Sequence, residues 1–111
     1  MHELAITQHI VEAVCEIAGA ARVTRIRLEI GNLSGVGLDS IRFCFDLCTR
    51  GSVLEGAALQ IDEIVGRACC FECRVEFLVE NSIALCECGS SNVEILAGYE
   101  LRIKEVELQN V

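Results

Sequence analysis

The first third of the chain changes from a helical to an extended hydrophobic pattern. Across Glu3–Ala18 the apolar residues recur on one side of a helix, which predicts an amphipathic α-helix that ends at Gly19. Residues 24–30 then alternate strictly between apolar and polar side chains, which predicts a half-buried strand. Its polar face carries Arg25, Arg27 and Glu29. The glycine-rich segment 31–37 predicts a loop after this strand.

A second helix and two further strands follow from the same kind of pattern. Residues 39–49 carry an apolar stripe at helical spacing, with Asp39 as the expected N-cap, and residues 58–65 predict a strand. In the closing strand, 99–108, the apolar phase slips by one residue, which predicts a β-bulge near Lys104–Glu105. We expect this strand to rejoin the first sheet. The polar side chains expected to meet there are Arg102 and Lys104 on one side and Gln60, Asp62 or Glu29 on the other.

Between these segments lies a cysteine module with the spacing C-x2-C, twelve residues, C-x-C, formed by Cys70, Cys73, Cys86 and Cys88. Residues 74–80 alternate between apolar and polar side chains, Asn81–Ser82 predicts a turn, and residues 83–85 are expected to return as the second strand of a hairpin. Val93 and Ile95 suggest a third strand. A hairpin with a cysteine turn at each end is the layout of a zinc ribbon.

The chemistry of this module favours a metal site. Four thiolates without a nearby histidine suit structural Zn²⁺, and iron, an iron–sulfur cluster or a redox pair at Cys70/Cys73 are the alternatives. In an extended strand Cys86 and Cys88 would point to opposite faces, so the backbone must bend there, which Gly89 permits. Cys69 is expected to be a spectator, or else a substitute ligand for Cys86. Three other cysteines lie on the apolar stripes of the helices and are expected to pack as small hydrophobes: Cys15, Cys44 and Cys48.

Composition excludes several classes of function. The chain has 111 residues, 52% of them hydrophobic, enough for one packed core and a small satellite. Its apolar runs are too short to span a bilayer and no leader sequence is apparent, so we expect a cytoplasmic protein without a membrane partner. The formal net charge of −8 argues against nucleic acid as a partner. A disulfide framework of the eight cysteines is disfavoured in a chain without a secretion signal.

The amino terminus, Met1-His2-Glu3, is the second chemically suggestive place. The α-amine of Met1, the amide nitrogens of His2 and Glu3, and the His2 imidazole can supply four nitrogens in a near-planar set, which Ni(II) and Cu(II) favour. A terminal amine and an imidazole must both lose a proton to bind, with reference pKa values of about 7.7–8.0 and about 6.5. The plain alternative is that His2 is an exposed terminal residue. His9 is expected to be a plain surface residue as well.

Taken together, the Met1-His2-Glu3 start, the Gly31 loop, the Ile41–Phe45 helix, the cysteine module and the closing Gly98–Ile103 strand resemble the HypA/HybF family of nickel metallochaperones for [NiFe] hydrogenase maturation. The resemblance covers essentially the whole chain. It implies a nickel site at His2 with its neighbours, and structural zinc held by Cys70, Cys73, Cys86 and Cys88. The family usually has C-x2-C in the second half as well, whereas this chain has C-x-C and no proline. Cys86 is therefore the ligand position that departs from the family pattern.

These observations lead to one interpretation of the whole chain. We expect an α+β fold with two helices, a small sheet to which the last strand returns, and an inserted zinc-ribbon-like subdomain. The predicted domains are 1–66 plus 98–111, which binds nickel, and 67–97, the ribbon. The resemblance implies a non-catalytic carrier, a monomer or homodimer, that works with a hydrogenase-maturation GTPase and the hydrogenase large-subunit precursor. The alternatives are a zinc-ribbon interaction module without transported metal and a thiol redox enzyme.

Overall fold

The computed structural model describes residues 2–80 and 83–109. Its elements, in chain order, are α1 (Glu3–Ala18), β1 (Val23–Gly31), α2 (Leu38–Cys48), β2 (Ala58–Ile64), β3 (Gly66–Cys70), β4 (Glu76–Val79), β5 (Val93–Ala97) and β6 (Leu101–Leu108). The strands form two three-stranded sheets, in the orders β2-β1-β6 and β4-β3-β5. The α+β class and the return of the last strand to the first sheet are therefore confirmed.

The chain divides into two compact units. One comprises Met1–Leu28, Val36–Asp62 and Arg102–Val111, and the other Glu29–Gly35 and Glu63–Leu101. The predicted boundaries at 66/67 and 97/98, which define separate nickel and zinc-ribbon domains, stay a prediction.

In the first unit, the helix α1 is confirmed with both of its predicted ends. It stops because Gly19 adopts a positive φ of 61° and donates its N–H to the carbonyl of Cys15. The helix packs against α2, and the apolar core includes Val14, Ile26 and Ile41, none of which is more than 1% exposed. The predicted cap of α2 is wrong, because Gly37 in an extended conformation precedes the helix and Asp39 lies in its first turn.

The exposed face of the first sheet is held by ion pairs across three strands. Arg25 of β1 contacts Glu105 and Glu107 of β6, and Arg27 donates to Asp62 of β2 at 2.6 Å. The hydrogen bond from Arg27 lowers the pKa of Asp62, as does the charge of Lys104. The sequence had placed Arg102 and Lys104 opposite Gln60, Asp62 or Glu29, and the effect of Lys104 on Asp62 agrees with that placement. Because β1 lies between β2 and β6, its arginines reach acidic residues on both neighbours.

The second sheet is built differently from the predicted hairpin. Gly66–Cys70 pairs antiparallel with Glu76–Val79 on one side and with Val93–Ala97 on the other. The third strand at Val93 and Ile95 is confirmed, but residues 83–85 form no strand, and the predicted turn at Asn81–Ser82 lies outside the described residues. The prediction failed because it placed the hairpin between the cysteine pairs, whereas the first cysteine pair is itself the hairpin turn.

Three further expectations concern positions along the strands. The closing strand begins at Leu101 rather than at Tyr99, after Gly98 with a φ of 124°. Glu29, predicted on the polar face of β1, is 8% exposed. The less exposed side chains of β6 are Ile103 and Val106, three residues apart, which matches the predicted slip of phase. The bulge itself stays a prediction.

Candidate metal centre

The first cysteine turn closes the hairpin between β3 and β4. The N–H of Cys70 donates to the carbonyl of Val75 at 3.0 Å, and the N–H of Arg74 donates back to the carbonyl of Cys70 at 2.9 Å. Arg74 completes the turn with a left-handed φ of 62°. The turn directs backbone N–H groups at the Cys70 sulfur, so this local segment fixes the position of the sulfur.

The second cysteine turn resolves the problem posed by the one-residue spacing. The N–H of Cys86 donates to the carbonyl of Ser90 at 3.1 Å, and the N–H of Gly89 donates to the carbonyl of Cys86 at 2.9 Å. Gly89 has a φ of 91°, which only glycine adopts without strain. The predicted bend is therefore present, and it allows Cys86 and Cys88 to point towards the same place.

Both turns bring their sulfurs to one centre. The Sγ atoms of Cys70, Cys73, Cys86 and Cys88 all lie within 4.8 Å of one another. Two of these distances are 3.7 Å, between Cys70 and Cys88, and 3.5 Å, between Cys73 and Cys86. A tetrahedron with Zn–S distances of about 2.3 Å has edges of about 3.8 Å. The sulfurs of this chain therefore fit a tetrahedral four-thiolate metal.

The electrostatics of the centre differ from sulfur to sulfur. The pKa of Cys70 is lowered to about 7, chiefly because the backbone N–H of Cys73 donates to its sulfur. The N–H of Cys88 has the same effect on Cys86, but burial and the sulfurs of Cys73 and Cys70 outweigh it, and the pKa of Cys86 is raised. The pKa of Cys88 is also raised, against the donated N–H of Ser90. A bound cation would stabilise all four thiolates together.

Cys69 takes no part in this cluster. Successive side chains of a strand point to opposite faces, so Cys69 and Cys70 face opposite sides of the sheet. The Cys69 sulfur contacts the carbonyl of Cys70 at 3.8 Å, and its partners in the neighbouring strands are Glu76 and Glu94. In the part of the chain that the structure describes, the fourth sulfur of the cluster is that of Cys86. The spacing had left Cys69 as the alternative.

At the other candidate site, the structure describes His2 and Glu3, whereas Met1 lies outside the described residues. His2 is exposed and precedes α1. The carboxylate of Glu3 accepts the N–H of Gly37 at 3.2 Å, and this contact lowers the pKa of Glu3. Both residues line an open cleft of ≈ 530 Å³. The nickel set of Met1, His2 and Glu3 stays a prediction.

The cleft also contains residues that sequence reasoning did not connect with the terminus. They come from α1 and α2, namely Leu4, Asp39, Ser40, Phe43 and Cys44. Phe43 is 66% exposed because it lies off the apolar stripe of α2. The helical spacing in the sequence could have identified this exposed position. Of the cysteines expected in the core, Cys15, Cys44 and Cys48 are only half-buried, so they lie at its edge. His9 is exposed, as predicted.

Fold and site together define a small α+β metal-binding protein with a zinc-ribbon-like subdomain. Neither helix in residues 2–80 and 83–109 has the length and apolar character needed to cross a membrane.

Comparison with known proteins identifies the family. The family model described as hydrogenase/urease nickel incorporation, metallochaperone, hypA matches residues 1–108. The hydrogenase maturation factor HypA of Trichormus variabilis is 50% identical over 111 residues, which cover 100% of this chain and 98% of the relative. That of Geobacter metallireducens is 46% identical over 110 residues, 98% of this chain and 100% of the relative.

Solved structures agree with the sequence relatives. The solution structure of the Ni metallochaperone HypA from Helicobacter pylori has a TM-score of 0.66 to this chain at 25% identity, over 97% of each chain. A second solution structure, of a HypA protein, has a TM-score of 0.64 at 26% identity, over 98% of this chain and 97% of that one.

The chain therefore belongs to the HypA family of metallochaperones, which confirms the resemblance seen in its sequence. It functions in nickel incorporation during hydrogenase maturation, with hydrogenase-related partners.

Proposed function

We propose that this chain carries Ni(II) at its amino terminus and holds Zn(II) permanently in the four-cysteine centre, without catalysing a reaction. The proposal rests on the contrast between the four-cysteine centre and the amino terminus. Four sulfurs converge within 4.8 Å on two hydrogen-bonded turns, whereas His2 is exposed at the start of α1 beside an open cleft. The first arrangement suits a retained metal and the second an exchangeable one.

Zinc is the metal that the donor set of the centre favours. All four donors are thiolates, and tetrahedral all-thiolate sites are typical of structural Zn²⁺. Bound there, zinc would supply a cross-link between the turns after Cys70 and after Cys86, with Cys73 and Cys88 as the remaining ligands. Because these ligands come from two folded turns, metal binding is coupled to folding of the subdomain. Iron remains the chemical alternative for such a set.

Nickel is the cargo for which the terminus provides donors. The proposed set comprises the α-amine of Met1, the amide nitrogens of His2 and Glu3, and the His2 imidazole. Glu3 is the first residue of α1, so its N–H has no carbonyl acceptor within the helix. Deprotonating that amide to bind nickel therefore breaks no helical hydrogen bond. The four nitrogens match the near-planar geometry that Ni(II) favours.

We further propose the setting of this activity. The chain receives or relays Ni(II) with a hydrogenase-maturation GTPase and delivers it to the large-subunit precursor of a [NiFe] hydrogenase in the cytoplasm. Two other functions were open from the sequence, an interaction module without transported metal and a thiol redox enzyme. None of the relatives named above is described as either one.

The test compares two histidines of the same helical segment. We expect untagged protein to contain one zinc and, after loading, one nickel by native mass spectrometry. His2→Ala should abolish stoichiometric nickel binding in calorimetry, as should an extension before Met1, because each removes a donor. His9→Ala is the matched control, since His9 is also exposed and lies outside the proposed set. If His2→Ala took up one nickel with unchanged affinity, the terminal site would be wrong.

A further inference from the structure

The four sulfurs of the cysteine centre differ in their access to solvent. Cys70 and Cys86 are 0% and 6% exposed, whereas Cys73 and Cys88 are exposed. Cys73 and Cys88 also line an open cleft of ≈ 310 Å³, and the buried Cys86 contributes to the wall of the same cleft. One cysteine of each turn is therefore exposed to a small solute, whereas the other cysteine of that turn is buried.

The short contacts between sulfurs run from one turn to the other. The exposed Cys73 lies 3.5 Å from the buried Cys86, and the exposed Cys88 lies 3.7 Å from the buried Cys70. Each contact thus joins one accessible sulfur to one protected sulfur. This is the arrangement of an attacking thiolate with a resolving thiol beside it.

We propose that the centre is also a site of reversible oxidation by hydrogen peroxide, in which the disulfides form between the turns, Cys73 with Cys86 and Cys88 with Cys70. The part of this inference that concerns metal release rests on the zinc assignment proposed above. The pairing of the sulfurs rests on the distances and exposures of the chain itself.

The chemistry balances with peroxide as the only oxidant. The Cys73 thiolate attacks one peroxide oxygen, the O–O bond breaks, hydroxide leaves, and Cys73 becomes a sulfenic acid. The Cys86 thiolate then attacks that sulfur, the S–S bond forms and a second hydroxide leaves. Two electrons pass from the sulfurs to peroxide, and the two hydroxides take up two protons to give two waters. A second peroxide oxidises Cys88 and Cys70 in the same way.

This step removes the donors that would hold the metal but keeps the two turns linked. Each disulfide leaves two fewer thiolates to coordinate zinc, so the first should already release it. The covalent bonds then join the turn at Cys70 to the turn at Cys86, the same two places that the metal joins. A dithiol reductant reverses the oxidation and restores the site.

Cys69 provides the internal control. It lies on the opposite face of β3 from Cys70, and Glu76 and Glu94 are its register partners on the two neighbouring strands. Its sulfur lies outside the four-sulfur cluster, so it has no cluster sulfur beside it to act as a resolving thiol. We therefore expect Cys69 to form no disulfide under conditions in which Cys73 does, although both belong to the same strand-and-turn segment.

The sequence allows the pairing to be mapped by digestion. Trypsin cleaves after Arg67, Arg74 and Arg102, which places the first cysteine turn on peptide 68–74 and the second on peptide 75–102. Disulfides between the turns link these two peptides, whereas disulfides within a turn leave them separate. Cleavage after Glu72 and Glu87 then separates Cys70 from Cys73 and Cys86 from Cys88. The Cys69→Ser variant leaves Cys70 and Cys73 as the two cysteines of peptide 68–74.

The experiment treats untagged full-length protein and the Cys69→Ser variant with one and two equivalents of hydrogen peroxide. Zinc release is followed with a chromogenic chelator, free thiols are blocked by alkylation, and the digests are analysed by mass spectrometry. We expect loss of one zinc per chain, linked peptides 68–74 and 75–102 with the pairs 73–86 and 70–88, and recovery after dithiol and zinc. The Cys69→Ser variant should behave identically.

Other outcomes would overturn the proposal. They are pairs within a turn, a mixed disulfide of Cys69, or sulfinic acid at Cys73 without cross-linking. Zinc measured before oxidation tests the proposed structural metal separately. If the protein contained no zinc, the pairing would still decide the redox inference, and nickel loading of the oxidised protein would report on the terminus alone.

Discussion

The four-cysteine centre and the amino terminus differ in how much of a metal site the fold forms in advance. In the centre, backbone hydrogen bonds of two turns position four sulfurs within 4.8 Å, and two of the sulfurs are buried. At the terminus, His2 is exposed, its carbonyl accepts the N–H of Ile6, and the Glu3 carboxylate accepts the N–H of Gly37. A preformed site binds tightly and releases slowly, whereas a site at a chain end exchanges its metal readily. A carrier needs both properties in different places.

The cysteine centre and the terminus also differ in the free energy of metal binding. Four neighbouring thiolates repel one another unless a cation lies between them. The folded turns therefore favour the binding of a metal ion. Structural zinc sites in small domains contribute about 10–16 kcal/mol at neutral pH. In the nickel site proposed at the terminus, in contrast, both the amine and the imidazole would have to lose a proton to bind the metal. Mild acidification should therefore release nickel before zinc.

The largest expected effect tests the fourth ligand of the preformed site. Cys86→Ser should lose stoichiometric zinc after dialysis against a weak chelator, and its thermal unfolding should shift to much lower temperature, because metal binding and folding are coupled. Cys69→Ser should keep one zinc per chain and an unchanged melting curve. Metal analysis by mass spectrometry and circular dichroism measure both. The reverse pattern would show that Cys69 replaces Cys86.

The next largest effect tests how much the backbone geometry, rather than the metal, stabilises the second unit. Gly98 has a φ of 124°, and a Cβ there would lie 2.7 Å from Leu33 and 2.8 Å from the Cα of Gly66. Gly98→Ala should therefore destabilise the zinc-loaded protein by about 3 kcal/mol or more, from backbone strain and steric overlap together.

Gly56→Ala is the matched control for that change. Gly56 has a φ of 82°, but nothing lies within 4 Å of a Cβ built there, so strain alone remains, at about 1–2 kcal/mol. Urea unfolding of both variants measures the difference. Equal destabilisation would mean that the close packing of Gly98 against Leu33 contributes nothing to the free energy of unfolding.

A smaller effect separates backbone from side-chain donors at the terminus. If the amide nitrogen of Glu3 binds nickel, Glu3→Gln should weaken nickel binding only about tenfold, the usual cost of disturbing a group around a metal site rather than a ligand. Gln keeps a carbonyl oxygen that can accept the N–H of Gly37. Calorimetry of untagged protein measures the affinity. A loss as complete as that expected for His2→Ala would make the carboxylate a ligand.

The smallest effect distinguishes metal loss from ordinary acid sensitivity. Asp62 has its pKa lowered by the hydrogen bond from Arg27, so it stabilises the fold at pH values above its unfolded pKa of about 3.9. That contribution is lost as the pH falls through the lower folded value. Asp62→Asn should therefore lose this contribution at neutral pH, a small loss because the pair is partly exposed, and should approach the stability of the parent protein in acid, so that its pH dependence is flatter. Urea midpoints with metal chelated in both proteins measure it, and an unchanged profile would contradict the assignment.

Much of this protein is determined by the sequence alone, because the relevant interactions are local. The 3.6-residue period of Glu3–Ala18 and the glycine after it define α1 at both ends. The cysteine spacing defines two turns with sulfurs that point inward, and Gly89 permits the second turn. Hydrophobic period, turn chemistry and ligand type are all properties of a few neighbouring residues, so they can be read without coordinates.

The tertiary structure decided what depends on residues distant in the chain. The partner of Glu76–Val79 is Gly66–Cys70 rather than residues 83–85. Cys86 completes the cluster, whereas Cys69 faces the opposite side of β3 from Cys70. The contact of Glu3 with Gly37 joins the first residue of α1 to the residue that precedes α2. Strand pairing and such contacts are selected by the packing of the whole unit. Several pairings satisfy the same local pattern, and only the folded chain shows which one is formed.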